Sequence, residues 1–459
     1  MTAPVVVVDI VGLTPALLAH MPRVAAVARD GFRAELGTIL PAVTCSVQST
    51  LLTGTLPRDH GVVGNGWLFR ELSEVFLWRQ SNRLVAGDKL WDVARRRLNR
   101  TVKTANLFWW FAMGSTVDIT VTPRPVYYAD GRKAPGIYAY PPAIGADLVK
   151  HLGEFPLFDF WGPRAGLPSS AWIANAARRV FDADRPELTL VYLPHLDYDL
   201  QRHGGRSPEA VAAAQAIDAV AGDLIDHVRN AGATVVVLSE YGITDVRRPI
   251  HVNRRLREAG LVDVAYNDAG ELLDTFASRA FAVADHQVAH VYVRDASARA
   301  AAAEALRTLP GVAEILDDDG KRAHGLDHPR TGDLVLVADP DAWFTYYYWL
   351  DDTRAPDFAP TVEIHKKPGY DPAELFFADG KAKAKAALRL AQKALGFRYT
   401  MDVIPIDGAD RVRGSHGRLP ASPDDGPVLL CSDNRFSKDK LAATDVFGLV
   451  LQLLGTGST

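Results

Sequence analysis

Three short runs made mostly of β-branched and aliphatic residues, Val5–Ile10, Leu188–Leu193 and Thr234–Leu238, are bounded by turn residues and alternate with helical periodicity such as Pro208–Val228. A strand apolar at nearly every position has both faces covered, which is the signature of a parallel sheet between helix layers. The fold class expected is therefore α/β, a mostly parallel central sheet with helices on both faces. In open sheets of this kind ligands gather beyond the carboxyl ends of the strands. Each of the three runs ends in or leads to a carboxylate there: Asp9, Asp197 and Glu240.

Two stretches differ in texture. Residues 121–166 are rich in Pro, Gly and Tyr, and residues 268–369 carry short strand patterns at Phe281–Ala284, His290–Val293, Asp333–Ala338 and Trp343–Trp349. Both read as insertions capping the sheet of a single domain spanning 1–459, and Leu441–Leu454 reads as a closing helix. A chain of 459 residues, 48% hydrophobic, has ample apolar surface for a core. The 51 basic and 55 acidic residues are spread along the chain and leave a net charge of -4, so composition makes no case for a nucleic-acid polymer or a membrane as partner. An anionic small molecule would need a local positive centre. Cys45 and Cys431 form no disulfide framework and no zinc-binding spacing, which suits a reducing compartment. The start, Met1-Thr2-Ala3-Pro4, has no basic leader or cleavage site, and nothing approaches the roughly 20 apolar residues of a membrane span. A cytoplasmic location is the expectation.

The block Pro41–Asn65 places Thr44 at the start of a helical pattern, with Gly and His turn residues behind it. A helix N-terminus favours negative charge on a bound phosphate or on an ionising hydroxyl. Thr44 is thus either an activated nucleophile, if a metal lowers its pKa, or an ordinary N-cap.

Further motifs surround it: Asp9 at a strand end, Pro41-Ala42-Val43-Thr44, Thr50-Leu51-Leu52-Thr53-Gly54, His60-Gly61-Val62-Val63-Gly64-Asn65, Asp197 with Gln201 four residues on, Ser239-Glu240-Tyr241-Gly242, and Ser415-His416-Gly417. In order and spacing these resemble the nucleotide pyrophosphatase/phosphodiesterase and phosphonoacetate hydrolase branch of the alkaline phosphatase superfamily, over essentially the whole chain. The resemblance implies a metal-dependent hydrolase that cleaves phosphodiester, pyrophosphate or related phosphorus esters through a covalent phospho-threonine on Thr44. Asp9, Thr44, Glu240 and Tyr241 would surround one divalent metal ion, and Asp197, Gln201 and His416 a second. The two ions would hold the phosphoryl group of a small phosphorus-containing substrate between them.

The departures are specific. Gln201 and Tyr241 stand where the family has His, Glu240 where it has Asp, and Val47 where it has a phosphate-contacting Asn, with Gln48 next in line to compensate. An oxygen-rich site shifts the expected metal from zinc toward iron, manganese, calcium or magnesium. An alternative register pairs Asp199 with His203. His195, His251, His286 and His365 read by default as structural or surface residues, with His286 and His365 the first reserves as ligands. Lys366, Lys367 and Arg124 are candidates to meet an anion, and Phe108–Phe111 leads toward the pocket. The other readings kept open are a phosphomonoesterase or phosphonate hydrolase on the same scaffold and a degenerate, non-catalytic ligand-binding member.

Overall fold

The computed structural model describes residues 3–129 and 133–456; Met1 and Thr2 of the amino-terminal segment and part of the 121–166 stretch lie outside the described residues. Nine strands form the central sheet: β1 (Val5–Ile10), β2 (Phe32–Gly37), β3 (Thr104–Leu107), β4 (Ile119–Pro123), β5 (Ile137–Tyr140), β6 (Leu188–Leu193), β7 (Thr234–Leu238), β8 (Val428–Cys431) and β9 (Lys440–Ala442). Their order is β9-β2-β8-β7-β1-β6-β3-β4-β5. Strands β7, β1, β6, β3 and β4 run parallel, and β8 and β5 run antiparallel to their neighbours. The central strands β1 and β6 are buried at every position, as their predominantly apolar sequences require.

Register fixes the site. Asp9 on β1 lies between Tyr192 of β6 and Leu238 of β7, so the segments leaving all three strands emerge together at the carboxyl edge. The helices include α1 (Thr44–Thr53), α2 (His195–His203), α3 (Pro208–Asn230) and α4 (Ala382–Ala394). Helix α3 begins as its sequence dictates, with Ser207 accepting from the Ala210 amide and Pro208 in the first turn.

A second hydrophobic core forms around an antiparallel four-stranded sheet, Ala280–Asp285, Val288–Val293, Leu334–Ala338 and Val312–Leu316 in spatial order. It accounts for three of the four strand patterns expected in 268–369. The fourth, Trp343–Trp349, is a strand only over Ala342–Phe344, which pairs with Arg248–Ile250. Tyr346–Trp349 leaves the strand and packs its rings edge to face inside that core. The 121–166 stretch differs from a pure cap: β4 and β5 extend the central sheet to its edge. The closing helix is shorter than its apolar run, Asp445–Leu453, because Lys440–Ala442 is drawn into the sheet beside β2. Both cysteines are free and buried, and among the described residues no helix is long and apolar enough to cross a membrane.

The His416 segment is seated by a backbone contact. Gly414 packs against α2 so closely that a Cβ would stand 2.1 Å from the Leu200 carbonyl oxygen, and the Arg413 amide donates to the Gln201 carbonyl at 2.9 Å. Gly414→Ala should therefore push α2 and the His416 strand apart at a cost of about 1–3 kcal/mol. Gly380→Ala, where a Cβ meets nothing within 4 Å, should stay within about 0.5 kcal/mol of wild type. Urea unfolding of the two variants checks this.

Candidate active site

All ten residues of α1 are buried. Val43, extended at φ -131° and ψ 152°, is the cap, so Thr44 is the first helical residue and its hydroxyl is not spent capping its own helix. It lies 2.9 Å from the Tyr241 hydroxyl. The start of α1 is held by Asn65, whose Oδ1 accepts from the Cys45 amide, while its own amide and Nδ2 donate to Asp285 at 2.7 and 3.0 Å. His60 is structural: its Nε2 pairs with Thr50 and its Nδ1 accepts from the Val62 amide.

Gln48, expected to compensate at a phosphate for the Asn replaced by Val47, is instead committed to contacts within the protein. Its Oε1 accepts from the Trp110 backbone amide at 2.8 Å, which fixes the direction of the side-chain amide. The Nε2 then donates to Glu240 at 2.6 Å and to Asp9 at 3.3 Å. Val47 points into the main core. On the other side of the site, Gln201 Nε2 donates to Asp197 at 2.8 Å, and its Oε1 accepts from the Tyr370 hydroxyl at 2.8 Å. His416 donates from Nδ1 to the Ala42 carbonyl at 2.7 Å, because a carbonyl only accepts. Its bare Nε2 faces Asp197 Oδ1 at 3.8 Å. The Asp199/His203 register is overturned: Asp199 pairs with Arg202 and His203 is exposed.

Four rings stack in series beside these groups. Tyr241 lies on His416 at 3.7 Å, His416 on His286 at 3.6 Å, and His286 on Tyr370 at 3.7 Å. His286 holds φ +60° at the tip of the Asp285–Val288 turn, a conformation that costs a non-glycine residue free energy. His286 thus stands at the site as a stacked ring between His416 and Tyr370. His365 lines the cavity above, His251 bonds Thr345 away from it, and His195 is buried. Lys367 does not face substrate: it is buried between Asp371 and Glu374, 2.7 Å from each.

The floor made by Thr44, Asp197, Tyr241, His286, Tyr370 and His416 opens into a cavity of about 770 Å³. Trp78, Trp110 and Trp161 wall it, and Arg124, Lys133 and Lys366 stand at its rim. Burial pushes the carboxyls of Asp9 and Asp197 up to about 7 and holds Glu240 well above the usual range, with the Asp9 charge adding to the effect at Glu240. Burial likewise drives His416 down to about 3, so its imidazole is neutral.

Among the described residues, no three His, Cys, Asp or Glu side chains are grouped to hold a metal ion. Two smaller donor sets are present. Asp9 Oδ1, Glu240 Oε2 and Asp197 Oδ1 are buried with no hydrogen-bond partner among the described residues. Asp9 and Glu240, with the Thr44 and Tyr241 oxygens beside them, make an all-oxygen set that fits a hard cation. The second set retains only Asp197 and His416, because Gln201 is already engaged at both ends of its amide. The residues fit one cation better than two.

The family model described as type I phosphodiesterase / nucleotide pyrophosphatase matches residues 5–371. The chain belongs to that family. Among curated proteins this family member is similar to ectonucleotide pyrophosphatase/phosphodiesterase family member 1 of Mus musculus, 22% identical over 281 residues, which cover 54% of this chain and 27% of that protein. The chain thus spans about a quarter of that relative's length. Among solved structures it is similar to an inactive form of murine ectonucleotide pyrophosphatase / phosphodiesterase 5 in complex with AMP, at 15% identity and TM-score 0.59, with 100% of this chain and 96% of that chain covered. It is also similar to phosphonoacetate hydrolase from Sinorhizobium meliloti 1021 in complex with phosphonoformate, at 15% identity and TM-score 0.60, with 99% and 96% covered. These likenesses show the alkaline phosphatase-like fold.

The buried carboxyls of this phosphodiesterase-family site make stability depend on pH in a definite sense. Asp9 and Asp197 keep their protons up to about pH 7 in the folded chain but lose them near 3.8 when unfolded. Stability is therefore full below pH 4 as far as these groups decide it, and falls as pH rises through 7, by up to ~1.4 kcal/mol per pH unit for each group. A cation at the carboxylates reverses the trend. Melting temperatures across pH 5–8 with chelator should fall, and added manganese or magnesium should raise them most at the alkaline end.

Proposed function

We propose that this chain hydrolyses phosphodiester, pyrophosphate or related phosphorus esters of small organic molecules, with Thr44 as nucleophile. The observation that carries the reading is the Thr44 hydroxyl, at the positive end of a fully buried helix, on the floor of a cavity of about 770 Å³. It sits against Glu240 and Tyr241, and the cavity rim is cationic. The families and ligands of the solved relatives, AMP and phosphonoformate, support a phosphorus-containing small molecule.

In the first step the Thr44 oxygen would form a bond to phosphorus as the bond from phosphorus to the leaving oxygen breaks. The hydroxyl proton would pass to water as the Thr44 oxygen bonds to phosphorus, and the leaving oxygen would take up a proton from water. Tyr241 would orient the Thr44 oxygen. Water then hydrolyses the phospho-threonine and restores the hydroxyl. Asp9, Glu240, Thr44 and Tyr241 would hold a divalent cation, and Asp197 with His416 a weaker second one; the cation would supply positive charge against the phosphoryl oxygens. The oxygen-only donor set supports magnesium, manganese, calcium or iron over zinc.

The Gln48 amide between Asp9 and Glu240 favours a second reading, in which the site binds a phosphorus ligand without turnover. Elemental analysis of protein purified without added metal, paired with turnover of a chromogenic phosphodiester, separates the two. Hydrolysis that falls by on the order of 10³-fold or more in Thr44→Ala supports the nucleophile. Activity unchanged in Thr44→Ala sinks it. A protein that binds AMP but turns nothing over in any divalent metal establishes the binding reading instead.

A further inference from the structure

Helix α4 is inside out. A surface helix normally buries its apolar stripe and exposes its charges. In α4 the stripe at helical spacing Ala384, Ala387, Leu388 and Ala391 is exposed, and of the whole helix only Ala382 is buried. The opposite side faces the protein: Arg389 bonds Asp402 at 3.1 Å, and Ala386, Leu390 and Lys393 line the cavity above Thr44. The exposed apolar surface continues beyond the helix. Leu388 is 59% exposed, Leu395 74% and Phe397 66%.

The same stretch is strongly basic. Between residues 380 and 401 stand Lys381, Lys383, Lys385, Arg389, Lys393 and Arg398, with no Asp or Glu. The whole-chain charge of -4, from which no membrane partner was expected, averages this segment away. Lys385 and Arg389 share Asp402 as a partner, while Lys381, Lys383 and Arg398 are exposed, Lys383 lying over the Phe377 ring at 5.9 Å. Tyr127 and Phe158, half-exposed, line the same cavity as Leu390, so apolar rings continue around its rim.

We propose that α4 and the residues after it dock this protein on a lipid surface carrying anionic headgroups, with the cavity mouth beside the contact. Apolar side chains flanked by Lys and Arg, without acids, are what an interfacial helix needs: the former enter the headgroup boundary and the latter meet its negative potential. A second copy of this chain suits the patch less well. A twofold interface would set the patch against itself and bring like charges face to face. Docking does not depend on the chemistry at Thr44, so its test stands apart from that of the hydrolase reading.

The test is co-sedimentation of the full chain with phosphatidylcholine vesicles and with vesicles in which a third of the lipid is phosphatidylglycerol, at low and high salt. Binding is expected to the anionic vesicles only and to weaken with salt. Lys381→Gln and Lys383→Gln should each weaken it about fivefold, and Leu388→Glu with Phe397→Glu should abolish it. Melting curves matching wild type show that these exposed substitutions leave the fold intact. No binding to anionic vesicles, or equal binding of the double glutamate variant, overturns the proposal. A dimer in analytical ultracentrifugation that the same variants dissociate, without vesicle binding, assigns the patch to a second copy and overturns it as well.

Discussion

Two carboxyl groups buried side by side, Asp9 and Glu240, are the constraint to which the rest of the site answers. Each is fully buried, which raises the cost of ionising it, and the Asp9 charge raises that cost further at Glu240. Left alone, such a pair would destabilise the sheet edge that carries it. Gln48 offsets this by placing one amide nitrogen between them, and the Trp110 amide holds Gln48 from behind so that it cannot turn. The arrangement takes one oxygen from each carboxyl and leaves the other free toward Thr44 and Tyr241. It also accounts for Val47. Successive residues on a helix point about 100° apart, so with Gln48 committed to the carboxyls, position 47 faces the core and carries an apolar side chain.

The inserted sheet is part of the site as well as a cover for it. Asp285, 220 residues from Asn65 in sequence, takes two hydrogen bonds from it, and Asn65 in turn holds the first turn of α1. The turn that carries Asp285 also presents His286 into the ring stack. The Gln287 amide then donates to the His416 carbonyl at 2.8 Å. The hairpin therefore fixes both the helix that begins at Thr44 and the His416 segment, which explains why a strained backbone at His286 is tolerated: its neighbours on both sides are bonded to that edge of the site.

Much of this was legible in the sequence because it depends on local pattern. Strands β1, β6 and β7 announce themselves by predominantly apolar runs, and Asp9, Thr44, Asp197, Glu240, Tyr241 and His416 by motif order. All six stand at one edge of the sheet. Gln201 is there too, but in a hydrogen bond to Tyr370 that no spacing reveals. Tyr370 and the Asn65–Asp285 link were missed because they arise from contacts between distant segments. Residues 346–349 and Lys367 show the opposite failure: an aromatic run that resembles a strand is a buried loop, and a lysine in a basic-looking segment is buried in an ion triad.

That triad bears on how the cavity divides its work. Lys367 between Asp371 and Glu374 is costly to desolvate and is stable only because every charge has a partner. Glu374 also accepts from the Trp161 indole and from the Glu363 amide, so the triad fastens one wall of the cavity to the chain that carries Tyr370. The floor and this wall are thus over-determined by buried bonds. The opposite side, α4, is held through its charged face with one buried residue. Local stability follows the density of buried contacts, so the geometry around Thr44 is fixed in advance while the mouth has freedom to yield to what enters. A reacting centre needs the first property to hold an oxygen in line with phosphorus, and a cavity this size needs the second to admit and release a substrate past its rim.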